Sequence, residues 1–280
     1  DPNALPSVGE MSQYRLIMTE VERAELEEIG DGSSTEARTN AQMNGTFIAL
    51  PRDGIDVRYN VGLRNRGNGS RNNPPNNIRV NIPSDKPWRG IDQFNLNTQF
   101  TPVQLAGLQL YAATGLISED SQAVVVQVNG ANLAGTGSPA YGVYIQFEAS
   151  NSDFASNHFP DDGNGNLYRG THEVFPTADL AYLGTNPDDY LATYARHTNE
   201  SQNDYSDLIH LTEVLNLTSD AEYLTHVEKV VDIDQWIGYF AVIAALGTRE
   251  TMLGTGYGDE CILLLGYETV RWFDIAQLVL

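Results

Sequence analysis

A glycine-rich interruption between two alternating stretches, within residues 57–82, constrains the fold of this chain more than any other feature. On both sides of it, apolar side chains alternate with polar ones, the pattern of a half-buried antiparallel strand pair. The alternating apolar positions are Val57, Tyr59, Val61, Ile78, Val80 and Ile82. The interruption contains Gly67, Gly69 and the Pro74-Pro75 pair, which a strand interior does not accommodate. The pattern therefore predicts a strand, a long loop and a second strand.

Four arginines accompany this predicted hairpin. Arg64, Arg66 and Arg71 lie in or beside the loop, and Arg79 lies on the returning strand. Glycines let backbone N–H groups approach phosphate oxygens, and guanidinium groups bind such oxygens through paired hydrogen bonds. The cluster is typical of an anion site, but also of a long polar hairpin whose arginines offset nearby acids. The residues alone leave both interpretations open.

The rest of the chain is strongly acidic, which narrows the class of partner. It has 37 Asp and Glu against 16 Lys and Arg, a formal net charge of −21, and its only lysines are Lys86 and Lys229. Because a nucleic-acid phosphate backbone requires a basic surface, this balance argues against nucleic acid as a partner. Acid-rich, lysine-poor surfaces suit salty or extracellular settings, so we expect a secreted or extracytoplasmic protein.

Hydrophobic periodicity predicts an α+β fold with a β-rich first half and a helix-rich second half that meet near residue 150. In the first half, helices are predicted at residues 20–29 and 99–115, and the last two strands are expected to pair. The predicted strands outside the hairpin are residues 12–18, 46–50, 123–128 and 141–147. No run of eighteen apolar residues occurs, so we expect no membrane span.

In the second half, the letters L-Y-R-G near residue 170 predict a strand, and residues 188–217 have the spacing of a polar helix. Residues 232–246 form the most apolar helical pattern and predict a core helix, while residues 260–280 predict two strands joined by a turn.

A second glycine-rich loop lies between the predicted core helix and the last strands. Its letters, G-T-R-E-T-M-L-G-T-G-Y-G-D-E, place Glu250, Asp259 and Glu260 directly before an apolar strand. A general base or a metal ligand has to be held in a fixed position, and a buried helix and a buried strand on either side would hold these acids in this way. A solvated turn is the more common origin of such a pattern in an acidic chain, so both interpretations stay open.

Five motifs in the same order resemble the CotH-type spore-coat protein kinases. They are V-G-L-R-N-R-G-N-G-S-R, Y-G-V-Y-I-Q-F-E, N-L-Y-R-G, V-V-D-I-D-Q-W-I-G-Y-F-A-V and E-T-M-L-G-T-G-Y-G-D-E. The resemblance covers residues 11–280. It implies an atypical protein-kinase-like, two-lobed fold that uses ATP and Mg²⁺ to phosphorylate serine hydroxyls of secreted or coat proteins. A β-rich lobe covering the nucleotide would span residues 1–150, and a helical lobe would span residues 151–280.

The resemblance also implies site residues. Those expected to contact the nucleotide are Arg64, Arg66, Gly67, Asn68, Gly69, Ser70, Arg79 and Glu148. Glu148 is expected to pair with a basic residue of the site. Glu250 occupies the position of the family's catalytic aspartate, and Asp259 and Glu260 occupy that of its paired asparagines.

Two departures from the family pattern modify this expectation. A glutamate in place of aspartate moves the carboxylate outward, and a misplacement of about 1 Å can cost roughly a hundredfold in rate. The family's metal-binding D-x-D is not found after the last strand before Leu280, and Asp274 within that strand does not match it. We therefore assign no metal ligand and expect an inactive fragment whose helical lobe is incomplete. The alternative is a catalytically inactive surface, adhesive or structural module that keeps the kinase-like fold.

Overall fold

Strands dominate the first half of the chain and helices the second, in a computed structural model that describes residues 11–29, 39–51, 54–67, 69–72, 74–136, 140–170, 178–247, 262–266 and 272–275. The helices in these residues are α1 (Glu20–Ile29), α2 (Thr101–Ala113), α3 (Ser152–His158), α4 (Asp188–Leu191), α5 (Ser206–Leu217), α6 (Tyr223–Val230) and α7 (Ile233–Leu246). The strands are β1 (Ser12–Ile17), β2 (Met43–Leu50), β3 (Asp56–Asn65), β4 (Ile78–Asn81), β5 (Gln93–Asn97), β6 (Ser121–Val128), β7 (Tyr144–Glu148), β8 (Asn166–Gly170), β9 (Tyr194–Arg196), β10 (Ile262–Leu265) and β11 (Trp272–Ile275). The predicted α+β composition is confirmed.

The chain divides into two compact units. The first, the barrel unit, comprises Asp1–Leu105 and Asp120–Ala149, and the second comprises Ala106–Glu119 and Ser150–Leu280. None of the helices in the described ranges has the length and apolar character that crossing a bilayer requires.

Seven strands of the barrel unit close on themselves in the order β1-β2-β3-β4-β5-β7-β6. Closure depends on the parallel pairing of β6 with β1, while the other neighbours are antiparallel. Four aromatic rings fill the interior, with centroids 5.1–6.2 Å apart: Tyr14, Phe47, Trp88 and Phe94. Such ring pairs each add about 0.5–1.5 kcal/mol beyond the burial of their area. The predicted pairing of the strands near 123–128 and 141–147 is confirmed by β6 and β7.

A bulge in β3 corrects one detail of the predicted alternation. Gly45 pairs with Val61 and Thr46 with Tyr59, so Asn60 is an extra residue, and its φ of 58° is one that asparagine tolerates. The extra residue turns the side chains that precede it in β3 to the opposite face of the sheet. Val61 is therefore buried, whereas Tyr59 is 70% exposed. The expectation that Tyr59 shares a buried face with Val61 is therefore wrong.

The second unit contains a four-stranded antiparallel sheet in the order β11-β10-β8-β9. On one face, Phe154 of α3 belongs to an apolar cluster with Leu167 and Ile262. On the other face, residues of α5, α6 and α7 cluster with Tyr168 and Leu263. The two strands predicted within residues 260–280 are confirmed as β10 and β11.

The helical prediction for residues 188–217 is wrong in its middle, because Tyr194–Arg196 forms β9 and pairs with β8. Pairing to β8 satisfies the backbone groups that a helix would satisfy locally, so tertiary context overrides the helical spacing. Helices α3 and α6 were not predicted. The apolar helix α7 is present, but Ile237 is 60% exposed and only one face is buried.

Candidate functional site

The predicted strand–loop–strand hairpin is confirmed in the barrel unit. Strands β3 and β4 pair antiparallel with Arg64 opposite Arg79. The backbone N–H of Arg66 donates to the carbonyl of Asn77 across the neck of the loop, at 2.9 Å. Within the loop, Gly69–Asn72 forms a 3-10 turn. The register therefore brings predicted cationic residues of both strands to adjacent positions.

The glycine at position 67 is required by the shape of this loop. Its φ is 108°, and a Cβ there would lie 2.3 Å from Ser70 Oγ and 3.2 Å from the backbone nitrogen of Arg71. Ser70 Oγ in turn accepts a hydrogen bond from Asn77 Nδ2 at 3.2 Å, and Asn77 Oδ1 accepts from the backbone N–H of Thr98 at 2.9 Å. Hydrogen bonds thus link Ser70, Asn77 and Thr98, and no space remains for a side chain at position 67. The predicted contact residue Asn68 lies outside the described residues.

Arg79 lies on the outer face of the barrel. Arg64, Arg79, Asn95 and Phe147 are successive cross-strand partners on β3, β4, β5 and β7. Residues directly opposite one another project to the same face, and the adjacent row belongs to the barrel core. Nε of Arg79 donates to Oδ1 of Asn95 at 3.0 Å, and Nδ2 of Asn95 donates to the carbonyl of Glu148 at 3.1 Å. Asn95 therefore orients Arg79.

Arg66, like Arg79, donates a hydrogen bond to an asparagine of β5. NH1 of Arg66 donates to Oδ1 of Asn97 at 2.7 Å, and its guanidinium carbon lies 5.1 Å from the ring centroid of Phe147. A cation over an aromatic face is stabilised by the ring quadrupole. Asn97 and Phe147 thus restrict the orientation of the Arg66 guanidinium.

Arg64 and Arg71 share one acceptor beside the loop. NH1 of Arg64 and NH2 of Arg71 each donate to Oδ1 of Asn40, at 3.0 Å in both cases. Arg71 also donates through Nε to the carbonyl of Gly67 at 3.0 Å and through NH1 to that of Thr39 at 3.1 Å. Burial, and secondly the charge of Arg71, lower the pKa of Arg64.

Each of these four guanidinium groups is therefore in contact with an asparagine oxygen, which is neutral. In the described parts of the chain, Arg64 forms no ion pair. An amide oxygen orients a guanidinium without cancelling its charge, whereas a carboxylate would cancel it. We call Arg64, Arg66, Arg71 and Arg79 the arginine row. In a chain of net charge −21, the arginine row concentrates positive charge and holds it in fixed orientations. Such an arrangement can bind an oxyanion.

Glu148 is positioned differently from the arginines. It pairs with Phe94, so the register directs its side chain to the barrel-interior face, opposite to that of Arg79. Its Oε2 accepts a hydrogen bond from the backbone N–H of Asp120 at 2.9 Å, and its own N–H donates to the Asp120 carbonyl at 3.2 Å. These contacts fix the residue that precedes β6. The expected ion pair of Glu148 with a basic residue stays a prediction.

The predicted catalytic acids lie outside the described residues. They are Glu250, Asp259 and Glu260. The elements on either side of them are described and match the expectation. Helix α7 is capped at its start by Asp232, whose side chain accepts from the N–H of Gln235 at 3.0 Å, and at its end by Gly247 with φ 65°. Strand β10 is buried and central in its sheet.

A second polar cluster, in the second unit, was not predicted. Arg196 donates to the side chains of Asn166 and Gln202, and Asn166 Nδ2 donates to Asp207 at 2.6 Å. The hydroxyl of Tyr168 donates to the same carboxylate at 2.7 Å. Burial, and then the Asp207 charge, raise the pKa of Tyr168 well above its usual range. These five side chains fasten the loop before α5 and the first turn of α5 to strands β8 and β9.

The comparisons with known proteins agree with the motifs. A family model described as CotH kinase protein matches residues 63–252, which is more than half of the chain. The matched segment contains the glycine-rich loop, the four arginines, Glu148 and Glu250. The resemblance indicated by the motifs is thereby confirmed. No curated protein sequence matches the chain.

Proposed function

The chain belongs to the CotH kinase family, and on that premise we propose that it binds ATP at the arginine row of the barrel unit for the transfer of phosphate to protein hydroxyl groups, a transfer that the missing D-x-D is expected to suppress. We further propose that the barrel unit is the nucleotide-covering lobe of a two-lobed kinase-like fold. The acidic, lysine-poor composition supports a secreted or surface setting for the protein.

One observation carries the nucleotide proposal. Four arginines near the loop at Gly67 are each oriented by an asparagine oxygen. An amide oxygen orients a guanidinium group without cancelling its charge, so a ligand at this cluster is expected to be an anion. A triphosphate suits the row because it presents several oxyanions in a line, each able to meet one guanidinium fork.

The residues have distinct roles in this proposal. Arg66 and Arg79 bind phosphate oxygens from the outer face of the barrel, and the loop at Gly67–Ser70 supplies backbone N–H groups to the same chain of phosphates. Mg²⁺, when bound, would neutralise part of the phosphate charge. Glu250, at the position of the family's catalytic aspartate, is proposed to orient the substrate hydroxyl as a general base would.

Titration calorimetry with Mg-ATP tests the nucleotide proposal. We expect Arg79→Ala to weaken Mg-ATP binding at least tenfold, because it removes a proposed phosphate contact. The melting temperature should stay nearly unchanged, because Arg79 lies on the outer face of the barrel and not in its core. Arg58→Ala is the matched control. Arg58 lies on the same strand pair but donates to the carbonyls of Lys86 and Pro87, so its loss should leave ATP binding unchanged. Absence of ATP binding by the wild-type protein would refute the proposal.

The second candidate function is that of a binding module without catalysis. It is favoured by the glutamate that stands at the position of the family's catalytic aspartate, Glu250. The two functions differ in one measurement, the transfer of labelled phosphate from ATP to the protein itself or to an acidic protein substrate. A kinase shows transfer that Glu250→Gln abolishes while ATP binding persists. A binding module shows no transfer in either form.

A further inference from the structure

Two hydrogen bonds run in one direction from the end of β5 to the glycine-rich loop at Gly67. The backbone N–H of Thr98 donates to Oδ1 of Asn77 at 2.9 Å, and Nδ2 of Asn77 donates to Oγ of Ser70 at 3.2 Å. Because a backbone N–H can only donate, it fixes the oxygen of Asn77 toward Thr98 and the amino group of Asn77 toward Ser70. The Ser70 hydroxyl must therefore accept the hydrogen bond from Asn77.

Both the backbone and the side chain of Asn77 are held in place. Asn77 is 2% exposed, and its carbonyl accepts from the backbone N–H of Arg66 at 2.9 Å. Thr98 is buried as well, and its hydroxyl donates to the carbonyl of Pro75 at 2.7 Å. Turning the Asn77 amide over would set its amino group against the Thr98 N–H, and buried donors that lack an acceptor are costly. The direction of the two hydrogen bonds is therefore fixed.

The proton of the Ser70 hydroxyl is left for another acceptor. A hydroxyl group can accept and also donate one hydrogen bond, and no described residue accepts a hydrogen bond from Ser70 Oγ. Ser70 is partly exposed, so its proton can reach a ligand. Hydrogen bonds in a chain polarise one another, and a hydroxyl that accepts from an amide becomes a stronger donor. The partner that suits Ser70 is therefore an acceptor, such as the oxygen of an anion.

We propose that Asn77 is a positioning residue that makes Ser70 a hydrogen-bond donor to a phosphate oxygen of the bound nucleotide. The inference rests on the proposed function, since it assumes that the glycine-rich loop lies over ATP. It adds Asn77 and Thr98 to the site and assigns the direction of the hydrogen bond that Ser70 makes. It depends on the polarity of three neutral groups and not on the charge of the arginine row.

Asn77→Asp tests this direction, because a carboxylate keeps the shape of the amide but only accepts. The N–H of Thr98 retains its acceptor in this variant, whereas Ser70 now donates to the carboxylate and its proton is withdrawn from the ligand. Titration calorimetry at about pH 8, where a carboxylate is ordinarily ionised, measures affinity for Mg-ATP and for inorganic tripolyphosphate. We expect Ser70→Ala to weaken both affinities at least tenfold in the wild-type background and less than twofold in the Asn77→Asp background.

Asn81→Asp provides the matched background for the added charge. Asn81 lies on β4 and donates to Gln42 at 2.7 Å, so the substitution adds the same charge and leaves the hydrogen bonds of Ser70 intact. Ser70→Ala should still cost at least tenfold in this background. A purely structural role of Asn77 would change the melting temperature but would leave the cost of Ser70→Ala equal in all three backgrounds.

The outcomes separate the two proposals. If the wild-type protein binds neither ligand, the proposed function fails. If the wild type binds both and Ser70→Ala costs the same factor in all three backgrounds, the role of Asn77 is refuted while the proposed function stands. If Asn77→Asp does not fold, the NMR resonances of the Asn77 side-chain amide decide. Tripolyphosphate must shift them in the wild type and not in Ser70→Ala, and unchanged resonances in the wild type refute the role.

Discussion

Replacing Gly67 with alanine probes how tightly the glycine-rich loop is specified. Two costs are expected. A side chain at a left-handed φ costs about 1–2 kcal/mol, which the reduced entropy of the unfolded chain offsets by about 0.4–1 kcal/mol. The new Cβ would also lie 2.3 Å from Ser70 Oγ, so the hydroxyl must rotate away from Asn77. A hydrogen bond of that kind contributes about 0.5–1.5 kcal/mol.

Gly130→Ala provides the matched control for the first cost. Gly130 has a φ of 86° in the same unit, and a Cβ there would meet no atom within 4 Å. Its substitution therefore reports backbone strain alone, about 0–1.6 kcal/mol on these figures. Gly67→Ala should cost about 1 kcal/mol more than Gly130→Ala, because it also displaces Ser70.

Urea unfolding measures the free energy of unfolding of both glycine variants. Together with Ser70→Gly and the double variant Gly67→Ala/Ser70→Gly, Gly67→Ala and the wild type form a double-mutant cycle. Removing the Ser70 side chain should recover most of the extra cost, which gives a coupling of about 1 kcal/mol between positions 67 and 70. Mg-ATP affinity, measured on the same samples, should fall in Gly67→Ala and not in Gly130→Ala. Equal costs at both glycines together with zero coupling would refute the account of the loop.

Two further predictions concern the response of the whole chain to solution conditions. Thermal stability should rise between 0.1 and 1 M sodium chloride, because the Debye length shortens from about 10 Å to about 3 Å and screens the repulsion among 37 acids; a flat or falling melting temperature contradicts this. Stability should also fall as pH rises above about 10, the unperturbed pKa of tyrosine, because burial raises the pKa values of Tyr14, Tyr144 and Tyr168. The folded state holds these protons longer than the unfolded state, so stability is complete below the unfolded pKa and is lost above it. Urea midpoints that stay constant to pH 12 would contradict the second prediction.

Local periodicity was sufficient to predict the elements whose residues interact with near neighbours. The bounds of α1, the β3–β4 hairpin and the β6–β7 pair agree with the patterns that predicted them. The apolar residues that form the buried face of each of these elements recur at regular spacing within the element itself. A short stretch of sequence is therefore enough to predict it. The arginines of the candidate site were recognisable for the same reason, since they cluster around one loop.

The remaining features depend on partners far along the chain. Nothing near Asn40 indicates that two arginines will donate to it, because they follow it by 24 and 31 residues. Asn60 looks like an ordinary strand residue until β2 pairs around it. The helical spacing near Tyr194 gives way to a strand because β8 offers hydrogen-bond partners there. Each of these outcomes was decided by tertiary contacts that no local window contains.

The closure of the barrel has a practical consequence for anyone who divides the chain. The family match begins at residue 63, after β1, β2 and most of β3, yet β1 joins β2 to β6 and so removes both sheet edges. A polypeptide cut to the matched boundaries would contain an open sheet with unpaired backbone along two sides. Such edges template intermolecular strand pairing. Insolubility of that fragment would therefore report the loss of the first strands and would carry no information about its activity.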